Sequence, residues 1–219
     1  IVFSSSASIY GYTLKNLLRE DSKLVPVNPY GTSKLVVENL LNDIFQNKSK
    51  NWKIAILRYF NPIGAHNSGL IGEHPLLKPN NIFPLIINSA YTKEKFKVFG
   101  NDWDTYDGTC IRDYIHVMDL ADGHLKTLDF LLKNEPNFLT LNIGIGKGIS
   151  VLELIKTFED VNNTKVPWEF SKRRDGDVPH LVADNSKAKS ILNWSPTKSI
   201  KEMCMDGWKW KNLNPNGYL

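Results

Sequence analysis

The sequence contains few cysteines and no long hydrophobic run. Its 219 residues include only Cys110 and Cys204, too few for a disulfide scaffold or a cysteine-rich zinc site. No segment approaches the roughly 18 consecutive apolar residues that a transmembrane helix needs, and residues 1–6 do not resemble a signal peptide. The five histidines lack the spacing of zinc ligands. We therefore expect a cytoplasmic protein without a metal centre.

The excess of positive charge is small. The 27 Lys and Arg residues stand against 23 Asp and Glu residues, and the lysines are scattered among acids rather than gathered in a stripe. Nucleic-acid-binding domains usually carry a clustered basic face. The distribution therefore favours a small anionic ligand, and we expect neither a nucleic acid nor a membrane as a partner.

The order of apolar segments predicts an α/β protein. Residues 1–3 read as a short strand that ends at a run of serines, and residues 53–60 read as a buried strand stopped by Asn61-Pro62. Between them, Asn28 can cap a helix whose first position is Pro29. A strand, a helix and a strand of these lengths predict a βαβ unit and hence a parallel sheet.

Later segments continue the α/β pattern. Two helices are predicted to begin with capping boxes, one at Ser150 with Glu153 and one at Ser199 with Glu202. On the last helix, Met203 and Cys204 are expected to face the core. The other predicted elements are a helix at 81–91, strands at 96–99, near 112–117 and at 138–143, and, after the strand near 112–117, a helix with Ala121, Leu125, Leu128 and Leu132 on one face.

Tyr30 and Lys34 are candidate catalytic residues because they lie four positions apart in a predicted helix, hence on one face. An unperturbed tyrosine is a poor base at neutral pH. A lysine ammonium about 4 Å away stabilises a phenolate by on the order of 4 kcal/mol at an effective dielectric constant near 20. Ser6 follows the first strand, where open parallel sheets bind their ligands, and its hydroxyl could relay a proton between a substrate and Tyr30.

Several longer motifs carry a family resemblance. These motifs are residues 4–11, 28–34, 57–65, 79–81, 98–102, 107–121, 173–177 and 214–218. Together they resemble the extended short-chain dehydrogenase/reductases and, within that superfamily, the NAD-dependent sugar-nucleotide epimerases that interconvert UDP-glucose and UDP-galactose. The resemblance covers essentially the whole chain.

The resemblance implies a two-domain fold. Residues 1–62 and 110–145 would form the remainder of a Rossmann-type NAD-binding domain, whose parallel sheet is incomplete at its front. Residues 63–109 and 146–219 would form a smaller α/β domain that binds the UDP-sugar. The glycine-rich first βα turn of the superfamily is missing, so the chain is expected to be the carboxyl-terminal two-thirds of such an enzyme. Alone, it is expected neither to bind NAD tightly nor to turn over.

The resemblance also assigns the reaction. Tyr30 would remove the proton of the sugar 4-hydroxyl while hydride passes to NAD, and the 4-keto sugar would take the hydride back on its other face. Lys34 would tune Tyr30 and hold the nicotinamide ribose, Ser6 would bind the reacting oxygen, and Phe60 would lie beside the nicotinamide. The whole enzyme is expected to be a homodimer.

The implied substrate site uses arginines for the diphosphate, because a planar guanidinium donates in pairs to phosphate oxygens. Asp177 would accept from the uridine ribose, and Leu181 would set the tolerance for N-acetylated sugars, with a preference for UDP-glucose and UDP-galactose. The full set of implied substrate-binding residues is Asn61, Asn81, Ile82, Lys97, Val98, Phe99, Arg112, Arg174, Asp177 and Leu181.

Two alternative functions remain at this level, beside one motif that is similar to a cofactor-binding fingerprint. Residues 144–148 are rich in glycine but lack the third glycine of a dinucleotide fingerprint, so we interpret them as a turn before the Ser150 cap. A sugar-nucleotide 4,6-dehydratase is disfavoured because Ala7 and Ser8 stand where those enzymes need an acidic pair. A non-catalytic sugar-nucleotide-binding remnant is the second alternative function.

Overall fold

The computed structural model describes residues 1–12, 17–47, 51–75, 77 and 79–218. Within these ranges the chain alternates strands and helices, as the sequence predicts for an α/β protein. A short 3₁₀ turn spans Ala7–Ile9. The strands are β1 (Val2–Ser6), β2 (Ile54–Tyr59), β3 (Asn61–Ile63), β4 (Phe96–Phe99), β5 (Ile111–His116), β6 (Phe138–Ile143), β7 (Gly148–Ser150), β8 (Trp168–Ser171) and β9 (His180–Leu181), and the helices are α1 (Pro29–Gln46), α2 (Ile82–Thr92), α3 (Val117–Lys133), α4 (Val151–Asn162), α5 (Ser186–Leu192) and α6 (Ile200–Leu213).

A parallel sheet with the order β1-β2-β6 confirms the predicted βαβ unit. The central strand β2 is apolar and buried from Ile54 to Leu57 because a parallel sheet is covered on both faces. Leu41 of α1 packs against Ile54 and Ile56 in one cluster. Leu120 and Leu131 of α3 pack with Ala55 and Leu57 in another.

The remaining strands form two further sheets. Strand β5 pairs in parallel with β3 and β9 and antiparallel with β7, while β4 and β8 form a separate parallel pair. A second apolar core joins α2, α4 and α6, with Phe83, Phe158, Met203 and Cys204 buried in it. The expectation that Met203 and Cys204 face the core is therefore confirmed.

The helix α1 begins as predicted. Asn28 is its N-cap and accepts from the Gly31 amide at 2.8 Å, and Pro29 occupies the first helical position. The cap fixes the first turn, which carries Tyr30, and Lys34 follows one turn later. Gly31 packs so closely on the Ser8 carbonyl that an added Cβ would lie 2.6 Å from that oxygen. This contact sets the start of α1 directly against the 3₁₀ turn after β1.

Some predicted boundaries were wrong. The serine run does not follow β1 but belongs to it, because Ser4, Ser5 and Ser6 pair with Leu57, Arg58 and Tyr59 of β2. The segment at Asn61-Pro62 ends β2, yet it starts β3 at once. On α3 the residues Leu125, Leu128 and Leu132 do share a face, but that face is exposed.

The capping boxes divide into one complete and one partial case. Ser199 and Glu202 form both reciprocal bonds at the start of α6. Ser150 accepts from the Glu153 amide at the start of α4, whereas the Glu153 carboxylate accepts from the Tyr106 hydroxyl. No helix in the described ranges is both long enough and apolar enough to cross a membrane.

Candidate active site

A cavity of about 730 Å³ opens at the carboxyl ends of β1 and β2. This is the edge of the sheet at which ligands bind in open α/β folds. A smaller recess of about 110 Å³ shares part of its wall with the cavity and adds Lys97, Val98 and Phe99 of β4. The predicted residues that line the main cavity are Ser6, Tyr30, Phe60, Asn61, Asn81, Ile82, Arg112, Arg174, Asp177 and Leu181.

The predicted catalytic residues meet at one side of the cavity. The Tyr30 side chain is 56% exposed, and the Lys34 ammonium lies 5.5 Å from the centre of its ring. Lys34 Nζ donates to the Ser4 carbonyl at 2.9 Å, so the lysine is tied to β1. Ser6 Oγ donates to Ser8 Oγ at 3.1 Å. Lys34 itself is not among the residues that line the main cavity.

Two arginines and one carboxylate form the opposite side. Arg174 donates to Asp177 Oδ1 at 2.9 Å, and the Arg112 guanidinium lies 3.8 Å from the same oxygen. Arg112 also donates to the Val178 carbonyl at 2.7 Å, which fixes its orientation. Two guanidinium groups share the Asp177 carboxylate, while Asp175, a second acid of the cavity lining, is exposed. This arrangement suits a ligand with two phosphates, because guanidinium groups pair with phosphate oxygens.

The recess beside these arginines has one flat apolar wall. Val98 is buried, and the Phe99 ring lies 5.6 Å below the Arg174 guanidinium. The Lys97 side chain is exposed at the rim. An aromatic ring and a guanidinium together can hold a planar ligand group by stacking.

The structure also shows site residues that sequence reasoning did not assign. Tyr114 lies next to Asn61 in the pairing of β5 with β3, and both line the cavity. Burial raises the pKa of Tyr114, and among the described residues neither its hydroxyl nor Asn61 Oδ1 has a hydrogen-bond partner. Tyr59, also at the wall, donates to Ser4 Oγ at 2.7 Å and contacts His124. Tyr59 and Tyr114 lie within the motifs that carry the family resemblance, but apolar periodicity alone predicts core positions for both.

A buried polar network lies behind the catalytic side. Arg58 donates to Glu38 through Nε at 3.1 Å and Nη2 at 2.7 Å, and both side chains are at least 94% buried. Arg58 Nη1 donates to the Tyr10 hydroxyl at 2.9 Å, and Tyr10 donates to Asn142 Oδ1 at 2.6 Å. Burial raises the pKa of Tyr10 to about 12. The network joins α1, β2, β6 and the 3₁₀ turn.

The glycine-rich segment at 144–148 is a turn that leads into the Ser150 cap, as predicted. Gly146 has a φ of +79°, which glycine adopts without strain. The buried Asp113 carboxylate accepts from the amides of Ile145, Gly146 and Ala183. Burial raises the pKa of Asp113 to about 6, against the opposite effect of these three bonds. The turn is therefore braced by a carboxylate.

Comparison with protein families gives one match over most of the chain. The family model described as GDP-mannose 4,6 dehydratase matches residues 1–206. Among curated proteins, UDP-glucose 4-epimerase of Bacillus subtilis is 48% identical over 219 residues, covering all of this chain and 64% of the relative. The Dictyostelium discoideum UDP-glucose 4-epimerase is 45% identical, and 63% of it is covered.

Solved structures agree with these relatives. The Stenotrophomonas maltophila UDP-glucose-4-epimerase with bound NAD and formylated UDP-arabinopyranose superposes with a TM-score of 0.94 at 44% identity, covering 98% of this chain and 63% of that one. The Bifidobacterium longum enzyme in complex with NAD⁺ and UDP gives 0.94 at 41% identity, with 99% and 64% covered. The expected Rossmann-type α/β class is thus confirmed.

The chain spans 64% of the length of the Bacillus subtilis relative and 63% of the length of the Dictyostelium discoideum relative. That share of length does not support the expectation that the chain is the carboxyl-terminal two-thirds of such an enzyme, because it does not say which part of each relative the chain matches.

Proposed function

The chain belongs to the GDP-mannose 4,6 dehydratase family, and from that membership together with the cavity we propose that the whole protein interconverts UDP-glucose and UDP-galactose. One observation carries the proposal. The Tyr30 phenol, the Ser6 hydroxyl and the guanidinium groups of Arg112 and Arg174 all line one cavity of about 730 Å³. A proton-transfer group and a diphosphate-binding group therefore face the same space.

The substrate would lie across this cavity. In the proposal, Arg112 and Arg174 bind the diphosphate, Asp177 accepts from the uridine ribose, and the recess at Val98 and Phe99 holds the uracil. Asp177 already binds Arg174, so a ligand ribose would compete with that bond or share it. The supporting feature is the position of the recess, which shares Arg112, Arg174 and Asp177 with the main cavity. Asn61, Asn81 and Ile82 form the wall between the two ends.

The chemistry would occur beside Tyr30. Tyr30, as a phenolate, takes the proton of the sugar 4-hydroxyl and, as the phenol so formed, returns a proton to the same oxygen, while Ser6 donates to that oxygen throughout. Lys34, tied to the Ser4 carbonyl, holds its ammonium group 5.5 Å from the centre of the Tyr30 ring. NAD, when bound, supplies the hydride acceptor at sugar carbon 4. Ser6, Tyr30, Lys34 and Phe60 fit its nicotinamide end, because the buried Phe60 ring and the exposed phenol belong to one wall.

Specificity in the proposal depends on Leu181. This residue is 9% exposed, lines the cavity and belongs to the buried cluster that contains Phe60, so in the proposal its side chain borders the sugar end. Leucine is intermediate in size, and we expect a preference for UDP-glucose and UDP-galactose with some turnover of UDP-N-acetylglucosamine. Equal kcat/KM values for both sugar classes would contradict this preference.

The proposal includes a homodimer of the whole protein. It is supported by Val36 and Leu40, which are 59% and 56% exposed and lie one turn apart on α1.

The decisive experiment measures conversion of UDP-galactose to UDP-glucose by the whole protein and by its Tyr30→Phe variant. The phenol supplies general acid-base catalysis, so its loss should lower kcat by about 100-fold or more while UDP affinity stays within about twofold. Tyr91→Phe is the matched control, because Tyr91 lies on α2 with its ring against Trp208. Unchanged kcat in Tyr30→Phe would contradict the proposal.

The product separates the alternatives. A 4-keto-6-deoxy sugar nucleotide would identify a dehydratase, in line with the name of the family model. UDP binding without any turnover by the whole protein would identify a sugar-nucleotide-binding remnant.

A further inference from the structure

We propose that the buried ion pair of Glu38 and Arg58 is a positioning device that holds the first two turns of α1, and so Tyr30 and Lys34, against the strand ends that carry Ser6 and Phe60. The inference rests on the proposed function, because it concerns the geometry of that reaction. Neither residue lines the cavity, so both act through their neighbours.

The positions of three side chains on α1 carry the first step. Tyr30, Lys34 and Glu38 follow one another at intervals of four residues, so they form one continuous face of the helix. The exposed end of this face carries the phenol, and the buried end carries the Glu38 carboxylate. A displacement of Glu38 along the helix axis would therefore move the phenol by the same amount.

Glu38 is anchored to the strand that carries the catalytic serine. Ser5 Oγ donates to Glu38 Oε1, and the adjacent residue Ser4 accepts from Lys34 at 2.9 Å through its carbonyl. Two successive side chains of the α1 face thus bind two successive residues of β1, directly before Ser6. This double attachment fixes the height of α1 relative to β1.

Arg58 fixes the same carboxylate to β2. Its Nε and Nη2 donate to the two oxygens of Glu38, while Nη1 donates to Tyr10 and to the Glu20 carbonyl at 2.9 Å each. The planar guanidinium cannot rotate without breaking several of these bonds. Phe60 follows two residues later on the same strand end, with its ring 6.4 Å from that of Tyr10.

The energetics favour a geometric role over a stabilising one. Burying two charges costs desolvation free energy that their attraction only partly returns, so a buried ion pair is weak evidence for stability. Its bidentate hydrogen bonds are nevertheless strongly directional. A misplacement of about 1 Å in a catalytic group can lower a rate by about 100-fold. An element that carries a proton-transfer group benefits from such directional contacts.

The experiment compares two buried carboxylates changed to amides in the whole protein, Glu38→Gln and Asp119→Asn. Asp119 is 6% exposed and accepts from Thr197 Oγ1 and the Lys198 amide at 2.9 Å each, away from the cavity. We expect Glu38→Gln to lower kcat about tenfold or more with the KM for UDP-galactose within about twofold, because the arginine side of the cavity stays intact. Asp119→Asn should leave kcat and KM within about twofold at a comparable loss of thermal stability.

A second readout does not depend on turnover. Backbone amide exchange in residues 30–36 should be faster in Glu38→Gln than in the unsubstituted protein and unchanged in Asp119→Asn. If Glu38→Gln fails to fold, Arg58→Lys must show the same fall in kcat, since a lysine cannot donate to both oxygens of Glu38 and to Tyr10 at once.

The outcomes are distinguishable. No turnover by the unsubstituted protein overturns the proposed function and this inference with it. Turnover by the unsubstituted protein, with wild-type kcat in the folded Glu38 or Arg58 variant, overturns the inference alone. Equal losses of kcat in the Glu38 and Asp119 variants also overturn it, because they would show a general effect of stability.

Discussion

Arg173 and Arg174 are neighbours in the sequence, yet their guanidinium groups meet different partners. Arg173 lies 4.1 Å from the centre of the Trp103 ring and donates to Asp102 Oδ1 at 2.8 Å. This contact holds the Asp102 pKa below its usual range. Arg174 instead faces Asp177 and Phe99 at the candidate diphosphate site. Arg173 therefore forms a surface ion pair, whereas Arg174 faces the proposed diphosphate site.

This difference gives a prediction for UDP binding. Arg174→Gln should weaken UDP binding to the whole protein by about tenfold, since a tenfold change corresponds to about 1.4 kcal/mol, the scale of a hydrogen bond to a charged group. Arg173→Gln has the same chemical change and should leave the UDP Kd within about twofold. Isothermal titration calorimetry measures both. Equal weakening by the two variants would show a general charge effect and contradict the assigned site.

At the scale of elements, the start of α1 is the critical local feature, because it carries the phenol. Asn28→Ala removes the acceptor of the Gly31 amide and should lower the free energy of unfolding by about 1 kcal/mol. Asn28→Ser keeps a capping oxygen and should lower the free energy of unfolding by only about 0.3 kcal/mol. Urea unfolding of the two variants measures the difference. A variant with alanine as stable as the serine variant would contradict the cap.

Helix starts could be predicted from the sequence because their signals are local. Asn28 with Pro29, and Ser199 with Glu202, lie within three residues of the helix they begin, and the structure confirms both. The short strands β3, β7 and β9 were not predicted. Each has two or three residues and exists because it pairs with β5, which is distant in sequence. Apolar periodicity carries no information on such pairing.

The leucines of α3 show a second limit. Their spacing gives the shared face but not its environment, and Leu125 and Leu132 are 67% and 69% exposed. The opposite face carries Gly123 and Thr127, which are small or polar yet fully or nearly covered by neighbouring elements. Burial here depends on packing between elements, which hydrophobicity alone does not report.

The candidate site was predicted mainly through the family resemblance. The structure brings ten of the assigned residues to one cavity and three more to the adjoining recess. The Glu38 and Arg58 pair was not predicted, because two charged residues twenty positions apart normally indicate solvent exposure. Only the packing of α1 on β1 and β2 buries them together.

At the scale of the whole molecule, Asp113 connects strand β5 to two segments that are distant in sequence. It lies on β5, is fully buried, and accepts from amides of the turn after β6 and from Ala183 after β9. In each of these bonds the Asp113 carboxylate accepts from a backbone amide of another segment. The ionisation of this carboxyl therefore bears on the stability of the whole fold.

The pH dependence of stability follows from the raised pKa of Asp113, about 6 in the folded protein against about 3.9 in an unfolded chain. The folded state then holds the proton more tightly, so the contribution of this group is fully present below pH 4 and is lost as the pH rises through 6. We expect the free energy of unfolding to fall by on the order of 3 kcal/mol between pH 4 and 7, relative to Asp113→Asn, which does not titrate. Urea unfolding of both proteins across this range measures the difference, and Asp129→Asn, an exposed acid on α3, should run parallel to the unsubstituted protein. Parallel curves for the unsubstituted protein and Asp113→Asn would show that burial does not raise this pKa and that the three amide bonds decide the charge of the carboxyl.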